Sequence, residues 1–116
     1  MRAAWIAVAP LFAVSVAVLA GCSAAPSIAG TWAASDGSPT KIIDGSGNCS
    51  GMYYNGTKPL DIGGPETCTL SSSATNGHYT LVVRQPPNQE TFDAAFDGNT
   101  MTLSMGGSVI VTLTKQ

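Results

Sequence analysis

Tight-turn dipeptides punctuate this chain after Ile28 and divide it into short segments. Asn55-Gly56, Asp97-Gly98-Asn99 and Gly106-Gly107 are typical of two-residue hairpins, because Asn, Asp and Gly tolerate the positive φ angles of such turns. The segments between them are rich in β-prone residues, and no stretch has the periodicity of an amphipathic helix. The pattern predicts consecutive antiparallel strands and an all-β fold.

The predicted strands and core follow from this alternation. The strands are expected at Gly30–Ala34, Thr40–Ile43, Ser50–Tyr54, Thr57–Ile62, Thr67–Ser72, His78–Arg84, Thr91–Phe96, Thr100–Met105 and Ser108–Thr114. In the last four strands, apolar residues at every second position point to one face and form the predicted core, namely Tyr79, Leu81, Val83, Phe92, Ala94, Phe96, Met101, Leu103, Met105, Val109, Val111 and Leu113. So many short strands in one small domain must hide their edges. This favours a small antiparallel meander barrel, with a two-sheet sandwich as the alternative.

Charge and residue types exclude several classes of function. The chain has a formal net charge of −2 with its basic residues scattered singly, which argues against nucleic-acid binding. His78 is the single histidine, so no histidine pair exists to hold a metal, and no G-x-S-x-G motif occurs. Asp36-Gly37 and Asp44-Gly45 are explained as turns. We therefore predict no catalytic residues, no metal and no cofactor.

The N-terminus resembles that of a bacterial lipoprotein. Arg2 precedes an apolar run, and Leu19-Ala20-Gly21-Cys22 resembles the lipobox at which such precursors are acylated and cleaved. The resemblance implies a signal peptide over residues 1–21 and a lipidated Cys22. Residues 22–27 would then tether an all-β domain of residues 28–116 to the extracytoplasmic face of the cell membrane. An uncleaved membrane helix and an ordinary secretory signal are the alternatives, and both also export the domain.

Lipidation of Cys22 would leave two cysteines, Cys49 and Cys68. An even pair in an exported and oxidising setting predicts a structural disulfide between them. The spacing offers no C-x-x-C motif, so a redox or metal role is not expected.

Two further motifs resemble those of lipocalins and of small lipocalin-like bacterial domains. Gly30-Thr31-Trp32 is similar to the G-x-W motif that opens lipocalins, and Phe96–Leu103 (FDGNTMTL) resembles a hairpin common in small lipocalin-like lipoproteins. The resemblance implies that Trp32 closes one end of the barrel and that a basic residue of the last strand, here Lys115, lies across its ring. The chain is much shorter than a true lipocalin and has no T-D-Y motif.

The stretch between the two cysteines is the candidate recognition region, because it is irregular, rich in Gly and Pro, and braced by the predicted disulfide. It contains two adjacent tyrosines, Tyr53 and Tyr54. Neighbouring strand residues face opposite sides, so one of Tyr53 and Tyr54 is expected to pack inward while the other offers a contact surface. Edge tyrosines without any partner are the alternative interpretation. The predicted function is non-catalytic binding of a small apolar ligand, with a protein-interaction or hydrolase-inhibitor module at the cell envelope as the alternative.

Overall fold

The computed structural model describes residues 24–116, in which there are ten strands and no helix. The strands are β1 (Gly30–Ala34), β2 (Lys41–Ile43), β3 (Cys49–Ser50), β4 (Tyr54–Asn55), β5 (Lys58–Pro59), β6 (Thr67–Leu70), β7 (His78–Gln85), β8 (Asn88–Asp97), β9 (Thr100–Met105) and β10 (Ser108–Lys115). The predicted signal peptide and Cys22 lie outside the described residues. Within residues 24–116, no helix is long and apolar enough to cross a membrane.

Eight of the strands form a nearly closed antiparallel barrel. Their order is β3-β2-β1-β10-β9-β8-β7-β6, which follows the chain once around the barrel. The two edge strands meet through a bridge between Asn48 and Thr67 and through the Cys49–Cys68 disulfide, whose Cα atoms are 5.9 Å apart. The predicted all-β antiparallel meander with one disulfide is confirmed, and the barrel strands form one sheet, not the two of a sandwich.

Tight turns close two hairpins where the sequence predicts them, whereas the turn predicted at Asn55-Gly56 lies one residue later, because Asn55 pairs with Lys58 and Gly56 and Thr57 connect β4 to β5. Gly98 and Asn99 connect β8 to β9, and Gly106 and Gly107 connect β9 to β10. Asn76, before β7, is the one non-glycine residue of the described chain with a positive φ, 54°, and Gly77 follows it with φ 80°. This is the geometry of a type I′ turn, in which both central residues need a positive φ.

The segment between β3 and β6 leaves the barrel, contrary to the two strands predicted over Ser50–Tyr54 and Thr57–Ile62. Gly51 has a φ of +77°, which turns the chain out of the sheet directly after β3. Only the short hairpin β4–β5 forms in this segment. We call residues 51–66 the plug segment, because the side chains of Met52 and Tyr54 are fully buried in the core cluster of the barrel.

The barrel interior is filled with side chains. The predicted residues Leu81, Val83, Phe92, Ala94, Met101, Leu103, Val111 and Leu113 are buried, and they are joined by Trp32, Ile43, Met52, Tyr54 and Cys68. Tyr79, Phe96 and Met105 are partly buried against this cluster. Such packing is expected of an eight-stranded barrel, whose interior is just wide enough to be filled by side chains.

Val109 is not in the core, contrary to the prediction. It is 58% exposed. The register of β10 against β9 shifts between Val109 and Val111, so that a β-bulge inserts one extra residue there. Because the bulge reverses the alternation, Ile110 packs against the core while Val109 points to solvent.

The meander gives the barrel two distinct ends. At the plug end lie the plug segment and the β1–β2, β7–β8 and β9–β10 turns. At the terminal end lie the start of β1, the end of β10 and the β8–β9 turn. The two ends therefore differ in which parts of the chain cover the core.

Candidate functional site

A cleft opens at the plug end between the plug segment and the strands β2 and β3. Its volume is about 320 Å³. We call it the Lys41 cleft, and it is lined by Pro39, Thr40, Lys41, Ser50, Gly51, Tyr53, Pro59, Leu60, Asp61 and Glu66. Proline and leucine side chains give the cleft an apolar rim, whereas Lys41 and Glu66 are buried polar residues. An apolar wall with a few polar groups is the usual composition of a small-molecule site.

Lys41 points inward because of its place in β2. Strand alternation puts Lys41 and Ile43 on the buried face while Ile42, 52% exposed, faces solvent. Lys41 is the register partner of Trp32 on β1, so the two side chains share the interior face. Sequence reasoning missed this residue, although its position in the predicted strand Thr40–Ile43 places it on the same face as Ile43.

The Lys41 side chain is buried, and its amine has no ion pair among the described residues. The residue is 1% exposed, and its Nζ lies 5.0 Å from the ring centroid of Tyr54. Within residues 24–116, the one ion pair is that of His78 with Asp93, and no side-chain hydrogen bond uses Lys41 Nζ. Lysine is almost never fully buried unless it is paired. The cleft therefore contains a lysine amine without a protein acceptor, while Gln85 Oε1 is the one fully buried side-chain polar atom of the described chain that has no hydrogen-bond partner.

Burial shifts the protonation of both polar residues of the cleft toward the neutral form. Desolvation lowers the pKa of Lys41, and the charges of Asp36 and Glu66 offset only part of this effect. Desolvation also raises the pKa of Glu66, against the opposing hydrogen bond from the Met52 N–H. An amine with a lowered pKa and a carboxyl group with a raised pKa thus line one cleft.

Three carboxylates hold the plug segment in place. Glu66 Oε1 accepts a hydrogen bond from Met52 N at 2.9 Å, and Glu90 Oε1 accepts one from Tyr54 N at 2.8 Å. The Tyr54 hydroxyl donates to Asp36 Oδ2 at 2.8 Å. Phe92 packs edge-on against the Tyr54 ring at 6.4 Å between centroids. These contacts preform the wall of the cleft before any ligand arrives.

The two tyrosines predicted for recognition face opposite ways. Tyr54 is fully buried, so its side chain supports the plug segment and does not reach the surface. Tyr53 is half-buried and lines the Lys41 cleft. Of this pair, only Tyr53 is placed where a ligand could touch it.

Trp32 and Lys115 meet at the terminal end. Lys115 Nζ lies 5.2 Å from the Trp32 ring centroid and donates a hydrogen bond to Ser27 O at 3.2 Å. The Trp32 indole N–H donates to Ile28 O at 3.0 Å. Gly30 has a φ of +146°, and a Cβ there would lie 3.0 Å from Lys115 Cε. The first residue of the G-x-W motif therefore makes room for the lysine that covers the tryptophan.

The disulfide accounts for the closest group of metal-ligand atoms. The sulfurs of Cys49 and Cys68 and a carboxylate oxygen of Glu66 lie within 4.8 Å of one another. Both sulfurs are joined in the disulfide, so neither is a free thiolate ligand. The Asp44 loop is held by its own hydrogen bonds, from Ser46 N and Asn48 N to Asp44 Oδ1. It has the geometry of a turn closed by an aspartate side chain.

His78, the single histidine, contacts Asp93 on the solvent-exposed side of β7 and β8, away from the Lys41 cleft.

Comparison with known proteins adds no assignment to this geometry. The chain matches no protein-family model, and neither the curated proteins nor the solved structures contain a match to it.

Proposed function

We propose that this protein is a non-catalytic binding module that holds a small, largely apolar molecule in the Lys41 cleft. One observation carries the proposal, namely a lysine that is 1% exposed, without an ion pair, on the wall of a cleft of about 320 Å³. No group of the described chain accepts a hydrogen bond from Lys41 Nζ. A ligand that brings an acceptor oxygen into the cleft would supply one, and such a bond contributes about 0.5–1.5 kcal/mol.

The ligand is assigned to the cleft and not to the barrel axis. The axis is occupied by buried side chains such as Phe92, Met101 and Leu103. The cleft has the volume of about ten water molecules in the liquid, which suits a molecule of one ring or a short chain. Pro39, Pro59 and Leu60 would cover its apolar part, and Tyr53 offers a rigid ring at low entropic cost.

The charges around the cleft favour a neutral ligand. Asp61 and Glu66 line it, and Asp36 acts on Lys41 through its charge. A carboxylate on the ligand would meet the like charges of Asp61 and Asp36, whereas a carbonyl or hydroxyl oxygen would accept from Lys41 without repulsion. The expected ligand is therefore an uncharged apolar molecule with one acceptor oxygen.

Binding is tested by titrating the full-length chain in mild detergent with acetophenone and following the backbone amide signals. Lys41, Gly51 and Tyr53 are expected to shift in a saturable manner. Leu60→Asp places a charge on the rim and should abolish these shifts, while Val109→Asp, an equally polar change outside the cleft, should not. Shifts that are absent, or equal in both variants, would refute the proposal.

We further propose that this module is lipid-anchored at the extracytoplasmic face of the cell membrane. The support is the lipobox resemblance of Leu19–Cys22 and a disulfide, which suits an oxidising compartment. Cys22→Ala should accumulate as an unprocessed precursor without the mass of the lipid. Normal processing and membrane retention of that variant would contradict the assignment.

A protein-interaction or hydrolase-inhibitor module is the second candidate, and the outer surface of the plug segment favours it. Leu60 and Ile62 are 41% and 37% exposed there, next to Asp61. Exposed apolar side chains on a preformed loop are typical of protein contacts. Inhibition of lysozyme or of a serine protease by the native protein, lost in Ile62→Asp, would support this candidate over small-molecule binding.

A further inference from the structure

We propose that Lys41 captures small neutral aldehydes covalently and reversibly, as an imine formed inside the Lys41 cleft, with Glu66 moving the protons. The inference rests on the proposed function, because it uses the same cleft and the same class of uncharged ligand. It adds a covalent bond that the binding proposal does not require.

The geometry around Lys41 is that of a reactive amine. A lysine held in a salt bridge keeps its proton, but no carboxylate oxygen of the described chain lies within 4.0 Å of Lys41 Nζ. Desolvation lowers the Lys41 pKa and so enlarges the fraction of neutral amine. Desolvated lysines in apolar pockets are the ones that form Schiff bases with carbonyl compounds.

Glu66 can serve as the proton donor and acceptor through one water molecule, because its oxygens lie more than 4.0 Å from Lys41 Nζ. It lines the same cleft, and its carboxyl group interacts with the charge of Lys41. Burial raises the pKa of Glu66, so its protonated form persists to higher pH than that of an exposed glutamate. Tyr54, whose ring Lys41 covers, is less suited to this role, because burial raises the pKa of its hydroxyl and that hydroxyl donates to Asp36.

The reaction balances without an oxidant or reductant. The lone pair of neutral Lys41 Nζ forms a bond to the carbonyl carbon, and the carbonyl oxygen takes the proton of Glu66. Nζ then returns one proton to Glu66, which leaves a neutral carbinolamine. Glu66 next protonates the hydroxyl group, which departs as water while the C=N bond forms, and the iminium nitrogen gives its proton back to Glu66. The products are one imine, one water and the protonated acid.

Two other lysines in the described chain provide internal standards. Lys58 is exposed on β5, and Lys115 contacts Trp32 and the Ser27 carbonyl at the terminal end. An aldehyde that reacts by access alone would modify exposed Lys58 most. An aldehyde captured in the cleft would modify Lys41 most, although it is the least exposed of the three.

The test uses benzaldehyde and sodium cyanoborohydride with the full-length chain in mild detergent near neutral pH. The reductant fixes any imine as a benzyl amine, and peptide mapping by mass spectrometry assigns the site. We expect Lys41 to be labelled faster than Lys58 and Lys115, and excess acetophenone to slow the labelling of Lys41 alone. Glu66→Gln should slow labelling at Lys41 and leave the rates at Lys58 and Lys115 unchanged.

The outcomes separate this inference from the binding proposal. Labelling that follows exposure, with Lys58 first, would overturn the imine inference. If acetophenone still shifts the cleft amides in that case, the binding proposal stands without the covalent step. If neither probe acts at the cleft, both proposals fail. Lys41→Arg should lose the label at this position only, which controls for misfolding because Lys58 and Lys115 still report.

Discussion

At each end of the barrel a lysine lies over an aromatic ring, but the surroundings of the two lysines differ. At the terminal end, Lys115 lies over Trp32 at 5.2 Å and also donates a hydrogen bond to Ser27 O. At the plug end, Lys41 lies over Tyr54 at 5.0 Å, but it is buried and has no hydrogen bond among the described residues. Lys115 therefore has an acceptor for its ammonium group, whereas Lys41 lies beside a cleft without one.

The difference shows that a cation over an aromatic ring is not by itself a sign of function. Such a contact contributes about 0.5–1 kcal/mol where it is exposed and about 2 kcal/mol where it is desolvated. Both lysines make such a contact, so the contact does not distinguish the two ends. A lysine that has no acceptor among the described residues and lies beside a cavity, and not the cation–π contact, therefore marks the plug end as the candidate site.

The largest expected effect is on the packing of the two aromatic rings. Trp32→Ala should lower the free energy of unfolding by about 3–5 kcal/mol, because it removes a buried indole from the terminal end. Tyr54→Phe keeps the ring at the plug end and removes only the hydrogen bond to Asp36, so its cost should be about 1 kcal/mol. Urea denaturation followed by circular dichroism measures both. Equal losses in the two variants would contradict this account of what each ring contributes.

Removal of the disulfide is expected to have the next largest effect on stability. The disulfide joins the edge strands β3 and β6 at the seam of the barrel, so its loss should affect the whole barrel and not one end. Cys49→Ser with Cys68→Ser should lower the free energy of unfolding by about 3 kcal/mol, the value expected for a loop of this length. Amide hydrogen exchange should then accelerate in β3 and β6 before it does in β8 and β9. Faster exchange confined to the plug segment would show that the seam does not hold the barrel together.

Replacement of each lysine by methionine sharpens the comparison most directly. Lys41→Met should raise the free energy of unfolding by about 1 kcal/mol, since it removes an amine whose charged form burial penalises and keeps the apolar stem. Lys115→Met should lower it by about 0.5–1 kcal/mol, since it removes a satisfied contact. The opposite signs are the prediction, and thermal denaturation of both variants checks it. A loss in Lys41→Met would mean that Lys41 stabilises the fold.

The smallest expected effect is the pH dependence of stability. Carboxyl groups at the plug end and at the terminal end contribute to it with opposite signs. Burial raises the pKa values of Glu66 and Glu90 at the plug end above the ordinary 4.5. Their contribution is complete below pH 4.5 and is lost as the pH rises through the folded-state pKa values. Hydrogen bonds from the backbone of Asn48 and Ser46 lower the pKa of Asp44 below 3.8. Its contribution is complete above pH 3.8 and is lost as the pH falls through the folded-state value.

These opposite slopes predict a maximum of stability at about pH 4–5. Asp36 adds to the acid side, because hydrogen bonds from Ser38 and Tyr54 outweigh its burial and lower its pKa. Glu66→Gln with Glu90→Gln keeps acceptors for Met52 N and Tyr54 N and should flatten the fall in melting temperature above the maximum. A melting temperature that rises steadily to neutral pH in the native protein would contradict the raised pKa values.

The hairpins show how much of the fold local patterns could predict. β1 and β9 begin and end at the predicted residues, and the turns at Gly98 and Gly106 are the predicted ones. The prediction that Val109 lies in the core is wrong, because a β-bulge depends on how two strands pair. The alternation of apolar residues within a single strand does not show it. The strands predicted on either side of Asn55-Gly56 are mostly absent, because Met52 and Tyr54 gain more by burial in the barrel than by pairing in the sheet.

The candidate site was only partly accessible to sequence reasoning. Tyr53 and its Gly- and Pro-rich surroundings were singled out, and Tyr53 lines the cleft. Lys41 and Glu66 were not, because their sequence neighbourhoods resemble those of ordinary surface residues. Lys41 becomes special only when β1 brings Trp32 opposite it and the plug segment covers it. The pairing of distant segments, and not any motif, assembles the site.

By itself, the sequence determined the strand alternation, the hairpin turns and the pair of cysteines, since each depends on residues close in the chain or on a simple count. Tertiary structure alone decided that the lysine over the aromatic ring at the terminal end has a hydrogen-bond acceptor and that the lysine at the plug end has none among the described residues. The physical reason is that burial and hydrogen-bond satisfaction are properties of surroundings. Lys41 and Lys115 are the same residue type over an aromatic ring, and only their surroundings give one an acceptor and leave the other as a candidate binding group.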